Sequence, residues 1–438
     1  MMVRVALTRA GVPAGALVAI AWVMVAGPSA QAPILPPVTN PAGVISLRDA
    51  VGLALLQSPD LLAFDAGRRA ADARLLQAGR RPNPVVTTHV EDLGTSNRAS
   101  DVVQPQATVQ LSQLVELGGK RAARQRLAGL DRDLASLDYE AARLDVLTRV
   151  SEAFLGVLAA QQSVAHTVRA RDVALQVRET VAARVQAGVV SPIEETRAGV
   201  LLATADIDVD HARRTLDARR QQLATEWGSP LALFTSATGD LEALPAIPTR
   251  EVLEASLTRN PDLARWTAEV DRRRAALLVA RSARVPDVTV SAGYRRFTTL
   301  DSNAVVVGVS LPLPWFDRNR DGIRAAEASV DRVQAEARAA ELRLVAGLAD
   351  AYRALATAAD EVTTLRTRVV PAARSVFDAV EEGYRLGRFS LMDVLDAQRT
   401  FTDSNGRYLQ ALIAYHHAVA TVERLVGQPL ADVATSIK

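Results

Sequence analysis

The chain has 438 residues and a formal charge of +2, and aromatic residues make up only 4% of it. That length allows two or three ordinary domains or one elongated one, and abundant Ala, Leu, Val and Arg with little aromatic bulk favours long close-packed helices over a compact enzyme. The chain has no cysteine, which excludes disulfides, thiolate metal sites, cysteine nucleophiles and a lipid-modified cysteine.

Arg4 and Arg9 precede an apolar run over 12–26, and small residues follow as far as Ala32. This is the pattern of a secretory signal peptide over 1–32. The run is short for an ordinary transmembrane helix of about 20 residues; a short membrane anchor is the competing reading. The two arginines are the segment's only charges, so its removal takes the formal charge from +2 to 0. Nucleic acid is therefore not an expected partner. No other run can span a membrane as a helix, so an exported chain of this kind must cross as strands.

The chain repeats itself with a period near 200 residues. Ser58-Pro59-Asp60-Leu61 returns as Asn260-Pro261-Asp262-Leu263, and Arg121-Ala122-Ala123 as Arg324-Ala325-Ala326. Gly188-Val189-Val190-Ser191 returns as Gly387-Arg388-Phe389-Ser390, and Gly228-Ser229-Pro230-Leu231 as Gly427-Gln428-Pro429-Leu430. The expected organisation is an N-terminal segment and short helix over 33–59, a first repeat over 60–230, a linker over 231–248, a second repeat over 249–430 and a tail over 431–438. Each repeat should run short helix, helix, two strands, very long helix, turn, helix.

In the first half, Ser46 with Asp49 three residues on has a capping arrangement. A second helix is expected over 60–81, ended by Pro82 and Pro84. Period-two segments follow over 84–92 and 103–114, and again over 286–297 and 304–314, joined by polar links at 93–101 and 298–303. Val86, Thr88 and Val90 alternate with Val85, Thr87, His89 and Glu91; Val305, Val307 and Val309 alternate with Val306, Gly308 and Ser310. Such runs suit barrel strands with one face to lipid and one to a wet lumen, or half-buried hairpins of a soluble domain. A helical hairpin over 120–227 then carries an apolar stripe through Leu127, Leu130, Leu134, Leu137, Leu144, Leu147, Phe154 and Leu158. Its first arm of some 65 residues spans roughly 100 Å. The second hairpin, over 323–426, has Pro371 in its first arm, where a kink or a division is expected.

Four strands cannot close a barrel, and open edges cannot face lipid. Three copies supply twelve strands, which close, and their hairpins can pack into a cylinder. The expected fold class is mainly α with a membrane β-barrel: a trimeric twelve-stranded barrel continuous with a periplasmic α-helical barrel.

Three segments carry a family resemblance: Gln113-Leu114-Val115-Glu116-Leu117-Gly118-Gly119-Lys120-Arg121, Leu311-Pro312-Leu313-Pro314-Trp315-Phe316-Asp317-Arg318-Asn319, and the run from Gly383-Tyr384-Arg385-Leu386-Gly387-Arg388-Phe389-Ser390 to Gln398. Over its whole mature length the chain resembles the outer-membrane factor (TolC-like outer membrane efflux protein) family, and most of all its CzcC-like heavy-metal efflux branch. The resemblance implies an outer-membrane exit channel of a tripartite pump reaching into the periplasm. Its implied partners are two further copies in a homotrimer, a periplasmic adaptor (membrane fusion protein), an inner-membrane pump of the resistance-nodulation-division type and outer-membrane lipid. A drug-efflux or type I protein-secretion duct is the alternative within the family. A periplasmic coiled-coil scaffold or adaptor is the alternative outside it.

The turn at Arg385, Leu386, Gly387 and Ser390, with Gly188 and Ser191 in the first repeat, is either a bare turn or, as the resemblance implies, a tip that docks the adaptor. Asp393 and Asp396 are three apart on a helix and share a face. They are a surface pair or a ring of carboxylates from three copies at a tunnel mouth, where the family carries gate aspartates. The repeat aligns them with Glu194 and Arg197. Tyr294, Phe297, Trp315 and Phe316 fill a core or form an interfacial aromatic belt. Gly118-Gly119-Lys120 fails as a phosphate loop, since Leu114 and Arg121 occupy required positions. His416 and His417 are adjacent on a helix and point about 100° apart. No catalytic constellation, metal site or cofactor site is expected.

Overall fold

The computed structural model describes residues 39–91, 105–297 and 302–435, all within one unit that begins at Val38. The signal segment 1–32, the link 93–101, residues 298–301 of the second link and the last three residues of the tail lie outside them.

In chain order the first half gives β1 (Gly43–Ser46), α1 (Leu47–Gln57), α2 (Pro59–Ala78), β2 (Val85–Glu91), β3 (Gln106–Val115), α3 (Lys120–Gln186) and α4 (Pro192–Thr225). The second gives β4 (Phe234–Thr238), α5 (Arg250–Ser256), α6 (Pro261–Ser282), β5 (Val288–Phe297), β6 (Ser302–Ser310), α7 (Arg320–Thr364), α8 (Val370–Arg385) and α9 (Leu391–Val426), followed by α10 (Leu430–Thr435). At 67 residues, α3 is about 100 Å long at 1.5 Å per residue.

Ser46 and Asp49 form a full capping box at the start of α1. Helix α2 stops at Ala78, short of the expected end at 81. Pro82 pushes Arg81 out of the helical region, and Gly79 lets the chain pass Gln125, whose Nε2 would lie 2.5 Å from an added Cβ. The segment 231–248, read as a linker, holds a strand. β4 pairs in parallel with β1, with Ile45 opposite Ala237. Four- and five-residue strands are too short to show alternation, so neither was legible. The tail is also not featureless, since α10 occupies most of it.

The first arm of the second hairpin is divided just before Pro371, into α7 and α8. One π-helical turn, Leu365–Val369, precedes it, and the Val370 N–H bonds to the Leu365 carbonyl five residues back. The widened turn absorbs the proline's missing donor and ring.

Strands β2, β3, β5 and β6 form one antiparallel sheet in that order. The central pair joins the two halves, with Val109 opposite Tyr294 and Leu111 opposite Ala292. Among the described residues, strands β2 and β6 are left as open edges in the single chain.

The main core lies where both hairpins meet the short parallel pair. Trp227, Phe154, Leu223, Leu241, Leu253, Leu348, Leu355 and Tyr415 are buried there, and the Tyr415 hydroxyl donates to the Pro245 carbonyl at 2.6 Å. Along α3 the buried seam runs through Ala128, Leu134, Ala142, Val146, Val150, Ala153 and Phe154. Of the expected leucine stripe, Leu134, Phe154 and Leu158 are buried; alanines and valines supply most of the rest, as close helix approach requires. A second, smaller cluster near the hairpin turns contains Val177, Val181, Ala198, Phe377, Tyr384, Leu391 and Val394.

Two of the motif segments prove to be strand-to-helix junctions. Gly118 and Gly119 both have positive φ, +66° and +72°, and Asn319 holds the matching place before α7 at φ 55°. A Cβ on Gly118 would lie 2.7 Å from that of Val285. Lys120 Nζ sits 2.8 Å from Asp287, Glu116 pairs with Arg124, and the Asn319 amide donates to the Ala280 carbonyl at 2.7 Å. These contacts fix the angle at which the long helices leave the sheet.

Candidate functional site

The hairpin turns are built alike. Gly188 and Gly387 have φ of +71° and +72°, the left-handed state that glycine takes without penalty. In each, the residue after the glycine closes a six-residue loop: the Val189 N–H bonds to the Arg184 carbonyl at 2.9 Å, and the Arg388 N–H to the Gly383 carbonyl at 2.8 Å. Such a closure satisfies carbonyls that the helix end leaves free. Ser191 then caps α4, its hydroxyl accepting from the Ile193 N–H at 3.4 Å with Pro192 in the first turn. Ser390 caps α9 more completely. Asp393 Oδ2 accepts from the Ser390 N–H at 2.8 Å and from its hydroxyl at 2.7 Å, and the Asp393 N–H returns a bond to the hydroxyl at 3.3 Å.

The turns leave apolar side chains in solvent, with Leu386, Phe389, Met392, Val189 and Ile193 all exposed. Arg385 pairs with Glu382 on its own helix. The two tips also touch. The Arg184 guanidinium lies 4.6 Å from the Tyr384 ring centroid and donates to the Tyr384 carbonyl at 3.2 Å. The sequence offers no sign of this contact, because it spans 200 residues and leaves no local pattern. Gly383 and Tyr384 stand in a motif segment, but the role of Gly383 emerges only here, where an added Cβ would lie 2.3 Å from the Phe389 ring.

Asp393 and Asp396 are exposed and line one groove of about 860 Å³ between α8 and α9, together with Arg368, Val376, Phe389 and Thr400. The Ser390 hydroxyl and N–H hold the Asp393 carboxyl below the usual carboxylate range. Glu194 is half-buried and Arg197 exposed on α4; among the described residues Arg197 enters no ion pair. The structure thus brings the two aspartates together in a groove that also holds Arg368, an arginine that no sequence pattern singles out.

The sheet has two unlike faces. Val86, Val90, Val109, Leu111, Val290 and Tyr294 stand exposed on one of them. On its edge, Val305, Val307 and Val309 are 79%, 72% and 71% exposed. The opposite face carries His89, Glu91, Thr108, Gln110, Ser291 and Arg295, as the pairing register requires. Tyr294 belongs to the apolar face. Phe297 does not: it is three residues on in an unbroken strand, and side chains alternate with a period of two, so it points to the polar face and leaves the interfacial aromatic set. Trp315 and Phe316 are exposed just after the last strand.

His416 and His417 find separate partners, the Leu241 carbonyl at 2.8 Å and Glu152 at 3.2 Å. Among the described residues no group of three His, Cys, Asp or Glu converges as a metal site.

The family model described as "Outer membrane efflux protein" matches residues 50–229 and 252–428. Over 400 residues the chain is 36% identical to the cobalt-zinc-cadmium resistance protein CzcC of Cupriavidus metallidurans, covering 91% of this chain and 94% of that protein. It is 31% identical to the nickel and cobalt resistance protein CnrC of the same organism, over 67% of this chain and 69% of that one. Among solved structures, the outer-membrane channel OprN shares the fold with a TM-score of 0.72 at 19% identity, over 88% of this chain and 90% of that one. A CusC structure does so with a TM-score of 0.73 at 15% identity, over 92% and 99%. The chain therefore belongs to the outer membrane efflux protein family, whose members are outer-membrane channels that extend into the periplasm and work as trimers with adaptor and inner-membrane pump partners.

Proposed function

We propose that three copies of this chain form the passive exit duct of a tripartite pump that expels heavy-metal cations, and that the duct performs no chemistry of its own. The sheet carries this reading. It exposes a mainly apolar face, has a mainly polar opposite face, and among the described residues ends in two open edges. Unpaired edges are not tolerated in lipid, and four strands from each of three copies close a ring of twelve. Tyr294, Trp315 and Phe316 then lie at the lipid boundary, and the hairpins extend about 100 Å into the periplasm. The metal cargo is supported by the resistance proteins CzcC and CnrC, named for cobalt, zinc, cadmium and nickel.

The exposed apolar tips at Leu386 and Phe389, with Arg385, Gly387, Ser390, Gly188 and Ser191, are the docking surface for a periplasmic adaptor. That adaptor links the duct to an inner-membrane pump of the resistance-nodulation-division type. Asp393 and Asp396 from three copies form a carboxylate gate, with Glu194 and Arg197 beside it on the first hairpin. Such a ring concentrates cations and resists closure by self-repulsion.

The test is single-channel recording in a planar bilayer, comparing wild type with an Asp393→Asn, Asp396→Asn variant. Asparagine keeps an acceptor for Ser390 and removes the charge. The variant should lose cation selectivity and resist block by a trivalent cation while remaining trimeric. Equal selectivity and equal block in both would place the aspartates outside the gate.

A further inference from the structure

We infer that Arg295 forms a positively charged filter inside the barrel, near the end opposite the carboxylate gate. The inference rests on the duct reading, because only barrel closure turns one arginine per chain into a ring.

The register places His89, Thr108, Arg295 and Ala304 side by side in one row across the sheet. Alternation puts His89, Thr108 and Arg295 on the polar face. The arginine is not loose: its Nε–H donates to the Thr108 hydroxyl at 3.0 Å, and Thr108 is only 3% exposed. The guanidinium is thereby held against the wall with its charge facing the lumen. Among the described residues no carboxylate pairs with it. The other luminal charge at this end among the described residues, Glu91, lies in the row of Gln106 and Phe297. That is two strands across and two residues further along, about 12 Å away at 4.8 Å per strand and 3.3 Å per residue. At that separation the two make no ion pair, but an ion on the axis feels both rings, and the Glu91 ring offsets part of the Arg295 ring. Arg295 is two residues from the end of its strand, some 7 Å inside the loop side of the sheet.

Twelve strands tilted near 40° enclose a barrel of roughly 12 Å radius. An ion on the axis therefore meets three like charges at about that distance. Screened over the Debye length, the Arg295 ring's own contribution to the anion-to-cation permeability ratio is about twofold at 0.15 M salt and about tenfold at 0.01 M, and it is read as the difference between wild type and a variant that lacks the arginine, since Glu91 offsets part of it in both. The periplasmic mouth, with its aspartates, has the opposite sign. At the outer end Arg295 thus works against the cation preference that the aspartates give the periplasmic mouth.

The absence of cysteine makes the test specific. The full-length trimer carrying Arg295→Cys is placed in a planar bilayer under a dilute KCl gradient, and the reversal potential is read before and after thiol labelling. The unlabelled variant should be more cation-selective than wild type. A cationic methanethiosulfonate should restore the wild-type value, and an anionic one should push it further from wild type. Arg295→Lys should match wild type. Arg295→His, charged at pH 5 and neutral at pH 8, should swing between the two values beyond any swing in wild type, which provides a second route if the cysteine variant fails to assemble. Channels of normal conductance whose reversal potential ignores the label, or a histidine variant that tracks wild type at both pH values, overturn the filter while leaving the duct intact. A wild-type protein that forms no channel overturns the duct, and the filter with it.

Discussion

Two glycines four residues apart at the second hairpin turn make a paired perturbation with different physics. Gly387 sits at φ +72°, and an added Cβ would meet nothing within 4 Å. Its replacement costs only backbone strain, about 1–2 kcal/mol for a left-handed L-residue and more for a β-branched one. Gly383 is helical, but an added Cβ would lie 2.3 and 2.6 Å from two carbons of the Phe389 ring. Its replacement leaves the backbone alone and evicts the ring, an overpacking cost of about 1–3 kcal/mol. Both costs fall on the tip cluster of Tyr384, Leu391 and Val394, and neither touches the core around Trp227. Gly387→Val should deform the turn, and Gly383→Ala should displace one apolar contact residue. Both should therefore weaken adaptor coupling and preserve the trimer. The assay is photocrosslinking to the adaptor from the tip, with metal efflux and a semi-native gel for the trimer. Wild-type crosslinking and efflux in both variants would refute docking at this tip. Loss of the trimer in either would refute the argument that the strain stays local.

Further expectations follow from the sheet, the core and the cap. In mild detergent the protein should migrate as a heat-modifiable trimer; a stable monomer in detergent-free buffer, seen by light scattering, would contradict barrel closure by three copies. Trp227→Ala should destabilise the fold by about 3–5 kcal/mol, because Trp227 is fully buried against Phe234 at 6.1 Å between ring centroids; the thermal midpoint reports it. The lowered carboxyl pKa of Asp393 means that its share of helix capping is present above the unfolded value, about 3.9. That share fades as pH falls through the lower, folded value. Amide exchange in the first turn of α9, corrected for intrinsic rates, should accelerate in that acid range, and Ser390→Ala should remove the effect.

The sequence by itself determined whatever is local or periodic. Ser46 with Asp49 is a cap closed within one turn, and Gly188 and Gly387 mark left-handed turns at which few other residues rest. The alternation over 85–91 and 288–297 fixed which side chains share a face, because a strand has a period of two. The same rule, applied strictly, separates Phe297 from Tyr294. What only the tertiary structure decided depends on partners far apart in the chain. The pairing of β3 with β5 unites the two halves in one sheet, and β1 with β4 builds a parallel pair too short to be seen in either strand. Arg184 against Tyr384 ties the tips, and Thr108 pins Arg295 across 187 residues. Pro371 shows the boundary between the two kinds of knowledge. A proline in a helix announces a missing hydrogen bond, but whether the helix breaks, bends or widens into a π turn depends on the helix packed against it. Here α9 packs against both sides of the interruption.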